Sequence, residues 1–283
     1  MSDLDDVIAR PLAEVTVAQA AAAMQHCFEG YIIPFRTTPE SWTRHFRGEH
    51  LDPFSSYIYE RDGQTAAVLF ICRRGWTSRV GGMGVAADFR GQGLGRRVMR
   101  DAVQGARARG DHALLLEVFE QNTPALQLYT SLGFQAGRRL VGYRWEPVPL
   151  DGPADALREM DALELARIVQ REGEPDLPWM LVGETFAAAI TPTRAFALQD
   201  RAFALIGNPD AETLLLAALV VPRAHRRQGW GTRMLRALAA AFPGKPMQAV
   251  IVVPEDLAPE FFARSGWERQ ALNQLEMRLD LVG

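Results

Sequence analysis

Apolar and polar positions along the chain alternate between helical and strand periods, and the whole alternation occurs twice. Val15 to Glu29, with its alanine-rich middle, predicts a helix, and Pro39 to Gly48 predicts a second one capped by Thr38. The period then shortens to that of strands. Tyr57 to Arg61, Thr65 to Arg73 and Ser78 to Val85 predict a meander with a tight turn at Asp62-Gly63. A helix from Arg96 to Ala108, a strand from Ala113 to Val118, a short helix carrying Tyr129 and closing strands through Trp145 follow. Three prolines in the seven residues 147–153 interrupt both periods and read as a linker. Beyond them come a helix over Ala154 to Gln170 and hairpin strands flanking Gln199-Asp200. A strand from Leu214 to Val221, a helix over Thr232 to Phe242, a strand over Gln248 to Val253, a helix over Ala258 to Arg264 and a last strand near Leu275 to Leu281 complete the chain.

At the same place in each half, a strand runs through a glycine loop into a helix. The first loop is Arg90-Gly91-Gln92-Gly93-Leu94-Gly95, and the second is Arg226-Arg227-Gln228-Gly229-Trp230-Gly231. Glycines let the backbone turn tightly and gather N–H groups, while the helix start adds its own unpaired donors and positive dipole end. Such a loop holds phosphates. A Walker loop needs Gly-Lys-Ser/Thr, and the only lysine is Lys245; a dinucleotide fingerprint needs a third glycine where Arg96 stands.

The Arg-x-x-Gly-x-Gly form resembles motif A of the Gcn5-related N-acetyltransferase (GNAT) family. A second stretch strengthens the resemblance: Glu117 on a strand, Asn122-Thr123-Pro124 as a helix start, Tyr129 on the helix, and Gly133-Phe134 turning into the next strand resemble motif B. The repeat carries Gly93 onto Gly229 and Gly133-Phe134 onto Gly266-Trp267, too long a period for a solenoid. The resemblance therefore implies a mixed α/β (α+β) chain of two tandem GNAT domains, each a mostly antiparallel mixed sheet flanked by helices. The expected boundaries are 7–146 for the first, 147–153 for the linker and 154–283 for the second.

Composition narrows the partners. The chain has 283 residues, 48% of them hydrophobic, enough for two cores. Net charge is −3 without a basic block, which argues against nucleic acid or an anionic membrane. His26, His45, His50 and His112 are scattered without metal spacing, so no metal is expected. Cys27 and Cys72 suit a reducing compartment, with a bridge between them possible but unforced. An acidic amino terminus and the lack of a long apolar run point to the cytoplasm.

The resemblance implies acetyl-CoA as co-substrate and a small-molecule or peptide amine as acceptor. Backbone groups at Met83, Gly84 and Val85 would face the pantetheine and the thioester carbonyl, and Arg90 to Arg96 would cradle the pyrophosphate. Asn122 would complete the binding site. Tyr129 occupies the position of the acid that protonates the departing thiolate; its alternative is a packing tyrosine. No carboxylate lies between Ser78 and Ala87, so Glu117, twelve residues before Tyr129, is the candidate base. It is equally readable as a carboxylate satisfied by backbone or by Arg138 or Arg139. In the second half Tyr129 becomes Phe262, Asn122 becomes Glu255 and Glu117 becomes Val250, which implies a non-catalytic domain; Trp230 adds bulk inside its loop. The acceptor region, Cys27 to Arg47 and Gly137 to Arg144, mixes Phe28, Tyr31, Phe35 and Trp42 with charges of both signs. The tandem layout resembles mycothiol synthase, but there the carboxy-terminal half is catalytic, so its substrate does not carry over. A reading of a different class is a non-catalytic acyl-CoA sensor or scaffold.

Overall fold

The computed structural model describes residues 4, 6–34, 36–147 and 154–282. They divide into two compact units, residues 1–137 with 275–283 and residues 138–274.

The first unit opens with β1 (Ile8–Pro11), α1 (Val17–Cys27) and α2 (Pro39–Glu49). Both helices begin with a capping box, in which a threonine hydroxyl accepts from the third helical N–H: Thr16 from Gln19 and Thr38 from Ser41. The meander follows as β2 (Tyr57–Arg61), β3 (Gln64–Arg74) and β4 (Thr77–Val85). Asp62 and Gly63 both take positive φ, as a two-residue hairpin turn of matching twist requires. Next come α3 (Leu94–Ala108), β5 (Ala113–Phe119) and α4 (Thr123–Ser131). Strands run in the order β1-β2-β3-β4-β5, antiparallel except for the parallel pair β4 and β5.

Alternation along β3 sends side chains to opposite faces. Leu69 and Ile71 join Val98, Met99 and Ala102 of α3 in the main core. Phe70 meets Trp42 and Phe46 of α2, with ring centroids 5.8 and 5.0 Å away. Helices thus cover both faces of β3 and β4, and the glycine loop sits where β4 passes into α3.

The second unit repeats the order with β7 (Arg158–Met160), α5 (Ala162–Glu172), α6 (Gly183–Ala187), β8 (Arg194–Leu198), β9 (Ala202–Ile206) and β10 (Leu214–Val220). It continues with α7 (Trp230–Ala241), β11 (Met247–Pro254) and α8 (Pro259–Arg264). Again β10 and β11 form the parallel pair. The expected helix over Ala154 to Gln170 begins only at Ala162, because Asp161 caps it by accepting from the Leu163 N–H at 2.6 Å. The residues before the cap pair with β8 instead.

The closing strands, β6 (Gln135–Trp145) and β12 (Glu268–Asp280), depart most from expectation. From Arg138 onward β6 belongs to the second unit, where it pairs with β11 and puts Val141, Tyr143 and Trp145 into that core. The chain from Leu275 belongs to the first unit, where Met277 and Leu279 join the main core and the Leu281 N–H donates to the His112 carbonyl at 2.9 Å. The compact units therefore differ from the expected division at 147–153. Of that linker, residues 148–153 lie outside the described residues.

Because Leu279, together with Met277, completes a core whose other buried members end at Phe134, Leu279→Ala should destabilise the first unit by roughly 2–4 kcal/mol. Hydrogen exchange should show faster opening of β3 and β5 while β8 and β9 keep their protection.

Candidate active site

The glycine loop owes its shape to two left-handed residues. Gly91 and Gly93 have φ of +77° and +85°, and a Cβ on either would meet nothing within 4 Å. Conformation, not crowding, selects glycine there. Gly93 caps α3, and among the described residues the N–H groups of Gly91, Gln92, Gly93, Leu94 and Gly95 have no protein hydrogen-bond partner. A helix start bearing several convergent free N–H groups is an anion site. Leu94 turns its side chain into the core and can offer only its backbone.

The side chains of Arg90 and Gln92 do other work than the expected phosphate contact. Arg90 donates to the carbonyls of Val85 at 2.9 Å and Glu29 at 2.9 Å, tying the loop to the end of β4 and the exit of α1. Gln92 donates to the Asp88 carbonyl at 2.8 Å. These two side chains brace the loop and leave its backbone N–H groups open.

Upstream of the loop, the parallel pair opens. β4 pairs with β5 only from Thr77 to Val80, opposite Ala113 to Leu116, while its other edge stays paired with β3 as far as Val85. Gly81 to Val85 therefore present a strand edge free of β5, at the stretch that includes Met83, Gly84 and Val85. Glycine is needed here for close approach: a Cβ on Gly84 would lie 2.9 Å from the Phe28 ring and 3.1 Å from the Cys27 carbonyl oxygen.

Glu117 lies on β5 just past the last paired residue. Its partner is Arg79 of β4, not Arg138 or Arg139, which pair with Asp176 and Glu255. Arg79 Nε donates to both Glu117 oxygens at 2.9 and 2.7 Å, Nη2 lies 2.6 Å from Oε2, and Nη1 donates to Glu49 of α2. Glu49 also accepts from His45 Nε2 at 2.9 Å, and the His45 side chain is half-exposed. Burial pushes the Glu117 carboxyl above its ordinary value despite the guanidinium beside it. Burial opposes ionisation of Glu49 too, but Arg79 and His45 outweigh it and hold that carboxyl at about 2.

Tyr129 on α4 is buried, with its ring centroid 6.0 Å from that of Phe134. Among the described residues its hydroxyl has no hydrogen-bond partner, and burial, then the nearby Tyr31, raises its pKa. Asn122 caps α4, its side chain accepting from the Ala125 N–H at 3.3 Å. Its other contact is the Tyr31 hydroxyl, whose pKa burial raises and Asn122 lowers. Tyr31 packs on Phe119 with centroids 6.0 Å apart, so the α1–α2 connection reaches the end of β5. Phe35 lies outside the described residues.

Sequence reading missed Arg79, Glu49 and His45. Arg79 carried a signal, being the one charged side chain in an otherwise small and apolar strand. Glu49 and His45 sit in an ordinary amphipathic helix and carried none.

The second unit keeps the frame. Gly229 caps α7 with φ +82°, Arg226 donates to the Val221 carbonyl at 3.1 Å and the Glu172 carbonyl at 2.5 Å, and β10 leaves β11 after Leu215. The offsets that align the loops and the Gly-Phe/Trp turns also carry Ser78 opposite Leu114 onto Leu214 opposite Met247, so the strand register is common to both halves. On that alignment Arg79 becomes Leu215 and Glu117 becomes Val250. Phe262 replaces Tyr129 and stacks on Tyr143 at 3.9 Å. Trp230 does not fill the loop: like Leu94 it is buried, with the Arg233 guanidinium 4.0 Å over its ring. The changes inside the loop are Arg227, left-handed at φ +62° where the first copy has glycine, and a tighter Gly231, whose Cβ would lie 2.9 Å from Phe261.

A parallel pair that splits above a glycine-capped helix is the frame of a CoA-dependent acyltransferase. The model of the acetyltransferase (GNAT) family matches residues 21–134, and the chain belongs to this family. It is 31% identical over 110 residues to a Bacillus subtilis (strain 168) protein assigned as a ribosomal protein bS18-alanine N-acetyltransferase, covering 38% of this chain and 73% of that one. It is 36% identical over 89 residues to streptothricin acetyltransferase of Streptomyces lavendulae, covering 31% of this chain and 47% of the relative, so the match spans about half of that protein. Among solved structures, a tandem GNAT protein from the clavulanic acid biosynthesis pathway superimposes with a TM-score of 0.67 at 16% identity, over 98% of both chains. That likeness establishes the fold of two GNAT domains. Among the described residues no helix is long and apolar enough to cross a membrane, no group of three or more candidate ligands could hold a metal, and both cysteines are free.

The depressed Glu49 carboxyl has a consequence for stability. A carboxyl lowered on folding contributes stability that is present above its ordinary value of 4.5 and is lost as pH falls through about 2. Thermal denaturation between pH 5 and 2 should therefore fall less steeply for Glu49→Gln than for the wild type.

Proposed function

We propose that the protein is an acetyl-CoA-dependent N-acetyltransferase whose active site lies in the first unit and whose acceptor is a primary amine of a small molecule or peptide. The observation that carries this reading is the free edge of β4 running into a loop of unpaired N–H groups, with Glu117 and Tyr129 in the same unit. Backbone donors at Gly91 to Gly95 suit the pyrophosphate, and the edge at Met83 to Val85 suits the pantetheine amides and the thioester carbonyl. Glu117 takes the proton from the attacking amine as the C–N bond forms. Tyr129 gives its proton to sulfur as the C–S bond breaks, and transfer of the proton from Glu117 to the phenolate resets the site. Loss of both groups in the second unit, at Val250 and Phe262, supports a non-catalytic role there. Two of the relatives are named for acetylation of an alanine of a ribosomal protein and of streptothricin. Those names bracket the class of acceptor proposed here. Two free, buried cysteines support a reducing compartment such as the cytoplasm.

Thiol release from acetyl-CoA, measured across amines, amino acids and peptide amino termini, tests the reading. Release that never rises above the amine-free background would leave only the binding-protein alternative.

Gly93→Val should abolish acetyl-CoA binding by calorimetry, because valine disfavours φ of +85° and its side chain would stand in the open space above the loop. Gly229→Val should leave turnover largely intact, provided that circular dichroism shows both variants folded. A loss of activity from Gly229→Val alone would assign the second loop a part in the reaction.

Tyr129→Phe should lower kcat by about 10²-fold or more while changing acetyl-CoA affinity little, as expected for a positioned general acid. Normal turnover with chemistry rate-limiting would give the proton to water.

A further inference from the structure

Beneath the split strands, two carboxylates share one guanidinium. Arg79 is itself 7% exposed and lies between Glu117 and Glu49, which are almost wholly enclosed. The titratable and charged groups facing Glu117 are Arg79 of β4, Glu49 of α2, Cys72 of β3 and Glu276 of β12, with His45 of α2 behind Glu49. Cys72 is neutral, and its thiol lies 3.5 Å from Glu49.

A carboxylate paired alone with a buried arginine is a poor base, because taking up a proton strands the cation. Two carboxylates on one arginine carry a net charge of −1, and one added proton leaves this buried trio neutral, the charge of His45 lying at the half-exposed outer end. The proton has a preferred seat. Glu49 is held ionised by Arg79 on one side and His45 on the other, whereas Glu117 has Arg79 alone and sits where β4 leaves β5.

We propose that Glu49 is a positioning residue for acetyl transfer: by occupying one edge of Arg79, it lets the guanidinium hold Glu117 at the mouth of the split while leaving Glu117 able to accept the proton of the amine. This inference rests on reading Glu117 as the base. His45, at the outer end of the chain of contacts, opposes Glu49, since its positive charge weakens the pull of Glu49 on Arg79.

Carboxyl ¹³C titration of protein labelled at glutamate, with the Glu117 signal assigned by its loss in Glu117→Gln, reads the charge sharing without any substrate. In Glu49→Gln the Glu117 midpoint should fall by about one pH unit or more, because Arg79 then serves Glu117 alone. In His45→Gln, at a half-exposed site, it should rise. The acid limb of kcat/KM for the best amine of the panel should move in the same directions, with a lower plateau in Glu49→Gln. Midpoints unchanged in the folded variants would overturn the inference, and an unmoved midpoint in His45→Gln does so even if Glu49→Gln fails to fold. Wild-type turnover in Glu117→Gln would instead remove the base assignment, with the shifted midpoints still recording the shared guanidinium.

Discussion

Everything at the candidate site follows from the point where β4 stops pairing with β5. Up to Val80 the two strands satisfy each other's backbone, and beyond it they diverge while β3 keeps hold of β4. Backbone donors and acceptors left without partners are costly if buried, so this geometry persists only where water or a ligand can reach them. The glycine loop extends the same device, adding a helix start whose first N–H groups converge on open space. Arg90 makes that arrangement rigid by spanning from the loop to the end of β4 and the exit of α1.

The charged cluster under the split is a different kind of constraint. Burying Glu49, Arg79 and Glu117 carries a large desolvation cost that a hydrophobic trio would avoid, and a buried ion pair is weak support for stability in itself. Here its residues sit at the opening of the strands, where a carboxylate of raised pKa has a use. The second unit illustrates the contrast, since it has Leu215 and Val250 at the corresponding positions and folds with the same strand register. An apolar pair is sufficient for the frame. The strand register therefore does not depend on these charges.

Duplication has preserved unequal parts. Loop-forming features survive in both copies: the glycine cap, the arginine staple and the inward-turned residue after the cap, Leu94 or Trp230. Each has a packing or backbone role independent of ligand, so a copy released from catalysis would keep them for stability. Tyr129 and Glu117 differ in the second copy, as Phe262 and Val250, and Arg79, the partner of Glu117, differs with them as Leu215.

The sequence by itself determined the elements, the loops and the repeat, because each is local. Helix caps at Thr38 and Asn122, the turn at Asp62-Gly63 and the left-handed glycines depend on a few neighbouring residues, and all are legible as short patterns. The helix expected from Ala154 illustrates the limit of local reading: propensity ran through Arg158 to Met160, which tertiary pairing with β8 made a strand. Only the tertiary structure decided which core received each closing strand, since an alternating apolar segment such as Leu275 to Leu281 fits any sheet edge of the right width. It alone also joined Arg79 to Glu49 and Glu117, residues 30 and 38 positions away. Charge pairing across such distances is set by how helices and strands pack, and no spacing along the chain records it.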